Sequence, residues 1–157
     1  MGLFGSKQAA NLKAMRETVE KVIAELGLDP RDNRLETQDG SFGWGLMRGS
    51  AQVFLFIKPG EEDEHFNAIQ VVAPVMHLPE SSVTQGTLFR RLLELNSQEL
   101  TSAAFAIKDD TVVVSTARST EDLDRSEIKQ MLLRVGYYAD TYDDILVNQF
   151  GGRRYSD

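Results

Sequence analysis

Two turns constrain this chain more than any other feature. Gly49-Ser50 separates the strand-like runs Phe42 to Arg48 and Ala51 to Lys58. Asp109-Asp110 separates Leu100 to Lys108 from Thr111 to Ala117. A two-residue connection joins neighbouring antiparallel strands, whereas a parallel crossover needs roughly a dozen residues or more. The sheet must therefore contain antiparallel hairpins. Helix-like segments flank each run of strands. Lys7 to Leu26 repeats Leu12, Met15, Val19, Val22, Ile23 and Leu26 at helical spacing and stops at Gly27, with Pro30 beyond. A second helix, opened by Thr84 or Thr87, carries Leu88, Phe89, Leu92 and Leu95 up to Asn96. A third, capped by Ser119, carries Leu123, Ile128, Met131, Leu132, Val135, Ala139 and Tyr142 and runs on to Gly151-Gly152. The expected fold is α+β: a twisted antiparallel sheet of about five strands with helices packed on it, in the order helix, strands, helix, hairpin, helix. Residues 7–152 form one domain, and the ends 1–6 and 153–157, which lack a packing pattern, are expected to be flexible.

The strands nominate a surface. Phe42, Trp44 and Leu46 alternate along one face of their strand, while Gly43, Gly45 and Gly49 signal a bulge or a close backbone approach. Val53 to Ile57 is an unbroken apolar run, which is consistent with burial on both faces or with one face in a protein interface. Phe42, Trp44, Leu46, Phe54 and Phe56 are therefore the expected partner or dimer surface. Phe66 to Met76 reads as a further strand, with Pro74 placing its end at an edge or a bend.

Chemistry finds little support. Cysteine is absent, which removes disulfides, cysteine nucleophiles, iron–sulfur centres and cysteine zinc sites. The two histidines, His65 and His77, have no second histidine at ligand spacing. The acids before His65 lack the alternating ligands and glycine of a calcium loop. No serine sits in a nucleophile elbow, and no glycine run leads to the lysine of a phosphate loop. No catalytic residue, metal site or cofactor is expected. Nor does the chain look like a nucleic-acid binder, since its formal charge is −7 and Arg90-Arg91 and Arg153-Arg154 are isolated basic pairs.

The negative charge is concentrated. Glu61, Glu62, Asp63 and Glu64 form one acidic tip. Asp140, Asp143 and Asp144 crowd one helix face, where three like charges repel unless a partner relieves them. Both clusters are candidate surfaces for a basic partner, although a solvated tip and a solvated helix face explain them as well. No apolar run reaches the roughly 18 residues that span a bilayer, and Met1 to Ala10 lacks the layout of a signal peptide. A cytoplasmic location without stable membrane insertion is expected. Gly2 and Ser6 fit the short myristoylation pattern, but a frayed helix start explains them more simply.

The second half resembles a known family. A leucine-rich helix ends in Asn96, and Ala103-Ala104-Phe105-Ala106-Ile107, an acidic turn and a valine strand follow. Glu121-Asp122-Leu123-Asp124 comes next, then Ala139-Asp140-Thr141-Tyr142-Asp143 and Phe150-Gly151-Gly152. This looks like the YbjN family of bacterial proteins, described as sensory transduction regulators, whose fold is similar to that of type III secretion chaperones. The resemblance implies a homodimer that holds an extended segment of a partner protein in apolar grooves. The YbjN name implies an alternative, a regulatory or stress-response adaptor acting on folded signalling proteins. A small enzyme ranks behind both.

Overall fold

The computed structural model describes residues 3–61 and 66–157. The elements run α1 (Leu3–Glu25), β1 (Arg34–Leu35), β2 (Phe42–Arg48), β3 (Ala51–Lys58), β4 (Ala68–His77), α2 (Ser82–Gln98), β5 (Ala104–Lys108), β6 (Thr111–Ser119), α3 (Arg125–Phe150) and β7 (Arg153–Arg154). The strands form one open sheet in the order β1-β2-β3-β4-β6-β5, and β7 pairs with β4. The pairings β1–β2, β4–β7 and β5–β6 are antiparallel. The five longer strands are those anticipated; the short first strand, expected over Leu35 to Gln38, is Arg34–Leu35, and β7 adds two residues.

Two compact units divide the chain. The first takes in α1, β1, most of β2, Phe54–Val71 and Ala117–Leu132. Its core is the α1 stripe Met15, Val19, Val22 and Ile23 with Trp44, Leu46, Leu55, Ile57, Ile69, Val71 and Ile128, all buried. A buried Asn67 organises its polar interior. Asn67 Nδ2 donates to Gln8 O at 3.0 Å and to Asn11 Oδ1 at 2.9 Å, and its Oδ1 accepts from Gly60 N at 3.2 Å. Thr120 Oγ1 donates to the same Asn11 Oδ1 at 2.6 Å. Every polar atom of the Asn67 amide is thus engaged, as a buried amide requires.

The second unit takes in Met47–Val53, Val72–Thr116 and Leu133–Asp157. Leu88, Leu92 and Leu95 of α2 are buried there, as are Val112, Val113 and Val114 of β6 and Val135, Ala139 and Leu146 of α3. Phe105 meets Tyr142 edge-on, with ring centroids 5.4 Å apart.

Both later helices begin elsewhere than expected. Ser81 caps α2, because its hydroxyl already accepts from Thr84 N; Thr84 lies inside the first turn. The third helix is capped by Asp124, not Ser119. Asp124 Oδ1 accepts from Glu127 N at 2.8 Å, and Glu127 Oε2 accepts from Asp124 N at 2.9 Å. This reciprocal capping box is backed by Leu123 and Ile128, both buried, at the two positions of a hydrophobic staple. Ser119 instead ends β6.

Candidate functional site

The glycines of β2 give the first unit its most distinctive surface. Trp44 and Leu46 point into the core, 0% and 5% exposed. They share their face with Phe42, which is half-buried with the Arg16 guanidinium 4.8 Å from its ring centroid. Strand alternation sends Gly43 and Gly45 to the opposite face. A Cβ added at Gly43 would lie 3.0 Å from the Phe56 ring, and one at Gly45 would lie 3.5 Å from the Phe54 ring. The missing side chains let two rings settle onto the β2 backbone. Phe54 and Phe56 stack loosely there, with centroids 6.4 Å and planes 18° apart. The Lys58 ammonium stands 5.9 Å from the Phe56 centroid and donates to Gln70 Oε1 at 3.1 Å. Val53, Leu55 and Ile57 are fully packed on the core side, whereas Phe54 and Phe56 keep part of their surface exposed.

This sorts the expected partner surface. Phe54 and Phe56 lie side by side on a half-open sheet face. Trp44 and Leu46 do not belong to it, because period-two alternation turns them to the side that α1 residues share in the core. Phe42 is on that side too, at its margin. The apolar run of β3 is therefore not buried equally on both faces.

The acidic surface is also redistributed. Glu62, Asp63 and Glu64 lie outside the described residues, as do His65 and Gly2, and only Glu61 of that tip is described, exposed. Asp140, Asp143 and Asp144 sit together at the end of the second unit, but with partners inside the chain. Asp140 Oδ1 accepts from Ser50 N at 2.8 Å and from Ser50 Oγ at 2.7 Å. Asp143 is 6% exposed and places Oδ2 2.5 Å from the same hydroxyl. Asp144 pairs with Arg154 at 3.2 Å. Asp143 is thus an interior residue, and the repulsion expected among three acids is relieved by the Gly49-Ser50 turn and by Arg154. Gly49 has φ +57°, and a Cβ there would lie 2.5 Å from Asp140 Oδ1. The turn needs glycine for both reasons.

Asp140 carries a pH signature. Its carboxyl is held below the ordinary carboxylate range, first by the Ser50 N–H, then by the Ser50 hydroxyl, with a smaller contribution from Arg48. Such a group stabilises the fold above its unfolded pKa, and the contribution is lost as pH falls through the folded pKa. Asp140→Asn is expected to lower stability at neutral pH by about 1 kcal/mol, a figure kept small because the side chain is exposed. It should also flatten the acid side of the stability profile below about pH 4. Denaturant midpoints measured across pH check both.

One sheet edge is closed by a side chain. Asn96 Oδ1 accepts from Phe105 N at 2.7 Å, and Asn96 Nδ2 donates to Phe105 O at 3.1 Å. The amide pairs with β5 as a neighbouring strand would. Asn96→Ala should cost about 1–2 kcal/mol and should promote association by exposing the Phe105 backbone. Chemical denaturation and light scattering read the two effects. Periodicity marks neither Asn67 nor Asn96 as a structural anchor, since single polar residues carry no period; Asn96 stands out only through the family resemblance.

A cavity of about 360 Å³ lies in the first unit, lined by Lys7, Asn11, Phe66, Asn67, Thr120 and Glu121 among others. The buried Asn67 amide on its wall is fully occupied by the bonds given above. Among the described residues, no group of three or more His, Cys, Asp or Glu could hold a metal ion. None of their helices is long and apolar enough to cross a membrane.

An open antiparallel sheet with three helices defines an α+β fold. Comparison with known proteins makes the class specific. A family profile described as "T3SS (YopN, CesT) and YbjN peptide-binding chaperone 1" matches residues 13–157. The chain belongs to this family of type III secretion and YbjN peptide-binding chaperones. Among solved structures it is similar to a chain of the ExsC–ExsE complex, at 15% identity and TM-score 0.62, covering 86% of this chain and 95% of that one. It is also similar to a chain of the HopA1–SchA chaperone–effector complex, at 10% identity and TM-score 0.57, covering 87% and 97%. At these identities the likeness shows a shared fold. No curated protein matches the chain.

Proposed function

We propose that this chain is a non-enzymatic peptide-binding chaperone that holds an extended segment of a partner protein against Phe54 and Phe56. The observation that carries the reading is the stacked, half-exposed aromatic pair set over Gly43 and Gly45. Alternate residues of a single strand bury a core on one side and offer two rings on the other. Such rings suit alternate side chains of an extended peptide, and rigid aromatic rings supply contact area at low entropic cost. Membership of a peptide-binding chaperone family supports the same reading. So does the fold shared with a chain of a chaperone–effector complex.

The adaptor reading, in which the acids select a folded signalling protein, has less support, because Asp140, Asp143 and Asp144 are engaged within the chain. Capture from native lysate followed by proteolytic mapping separates the two. A partner held through an extended segment, retained after its folded domains are digested away, supports the chaperone. A partner held only through an intact folded domain contradicts it. The reading includes a homodimer working in the cytoplasm. Sedimentation equilibrium should return twice the monomer mass, and a strict monomer would remove the dimer from it.

A further inference from the structure

Arg153 to Asp157 carry no packing pattern, yet they are seated on β4. Arg153 and Arg154 pair antiparallel with His77 and Met76. Tyr155 N donates to Val75 O at 3.1 Å, and its ring stacks on His77 with centroids 5.4 Å and planes 29° apart. Arg154 pairs with Asp144 at 3.2 Å and with Asp157 at 3.0 Å. Gly151 and Gly152 have φ of +78° and +81°. These angles turn the chain back from α3 at a point where a Cβ on Gly152 would lie 2.6 Å from His77 O.

The seat is only partly filled. A cavity of about 220 Å³ borders Tyr155 and Ser156 and is walled by Met47, Gln52, Pro74 and Asp143. The hold is also slight. Two residues of ladder, the Tyr155–Val75 backbone bond, one exposed ion pair to the helix and one stacked ring are interactions worth little singly.

The geometry points to the end of β4 as a strand-addition site for an extended basic–aromatic peptide, which the chain's own Arg153–Tyr155 occupies until a partner displaces it. The backbone of Val75 to His77 reads the strand, the His77 ring reads an aromatic side chain, and Asp144 reads the arginine before it. A longer peptide would also place a side chain in the cavity that the chain's own segment leaves open. The site uses none of the residues of the preceding proposal and does not rest on it.

The test is a titration of the isotope-labelled full chain, followed by NMR, with an acetylated peptide of the sequence Gly-Gly-Arg-Arg-Tyr-Ser-Asp. In the double variant Arg154→Ala, Tyr155→Ala the peptide should shift the amide signals of Val75 to His77 saturably. In the unaltered chain the tethered copy competes at high effective concentration, and apparent affinity should be at least about tenfold weaker. A peptide with alanine in place of tyrosine should lose most of the response, and added salt should weaken it through the Arg–Asp144 pair. No shift in the variant at millimolar peptide, or equal binding by both chains, overturns the proposal. The single variant Tyr155→Ala supplies a second measurement that needs no peptide. Hydrogen exchange at Val75 and His77, whose backbone groups face the segment in this register, should quicken, and unchanged exchange overturns the occupancy.

Discussion

Trp44→Ala is expected to cost about 3–5 kcal/mol, the range for deleting a large aromatic side chain from a core. Trp44 is fully buried in the first unit, whose core also holds the α1 stripe. The loss combines the transfer free energy of the indole with a cavity that β2 cannot collapse to fill. Trp44→Phe should cost much less. The phenyl ring restores most of the volume, and the buried indole N–H, which has no hydrogen-bond partner among the described residues, is removed with the substitution. Urea denaturation followed by circular dichroism gives both values. Trp44 is the single tryptophan of the chain, so its fluorescence is a second readout: blue-shifted emission shielded from iodide. A cost below about 1 kcal/mol, in the range of surface substitutions, would return Trp44 to the surface.

The second large effect concerns binding, not stability. Replacing Phe54 and Phe56 together with glutamine should weaken capture of a partner segment by at least about 30-fold, as expected when two aromatic anchors are removed. Stability should fall far less than for Trp44→Ala, because both rings are already partly in water. Gly43→Ala provides a subtler version. Its methyl would meet the Phe56 ring at 3.0 Å and must push it off the β2 backbone. Val83→Gln, at a position 80% exposed on α2, serves as the control and should leave capture unchanged. Equal capture by the double variant and the unaltered chain would exclude the aromatic face from partner binding.

How much of this was legible depends on the range of each interaction. Periodicity is local, and it located all three helices and the five longer strands. The two-residue turns made β2–β3 and β5–β6 neighbouring hairpin pairs. The glycines of β2 did announce a close backbone approach, yet which rings came down on them depends on β3 register, which spacing alone does not define. The same limit applies to Trp44 and Leu46. Alternation placed them on one face with Phe42, but the side that receives α1 is settled only by tertiary packing. The capping box was present as Asp124 and Glu127, three residues apart, ahead of an apolar stripe. Ser119 precedes the acids Glu121 and Asp122 and so resembles a cap, although strand β6 claims it. The Ser50–Asp140 latch spans 90 positions and the Asn67–Asn11 bond spans 56; neither leaves a trace in local pattern. The seat of Arg153 to Tyr155 has the same origin, since its strand partners Val75 to His77 lie far away in sequence.

In the proposed binding mode the half-open face bearing Phe56 touches the partner. A photoreactive benzophenone side chain placed at position 56, and in a separate chain at the exposed Leu93 (69% exposed) on α2, tests it directly. Irradiation in native lysate followed by mass spectrometry should yield an adduct from position 56 that maps to a short extended segment of one partner, with little from position 93. Adducts from position 93 alone would contradict the account.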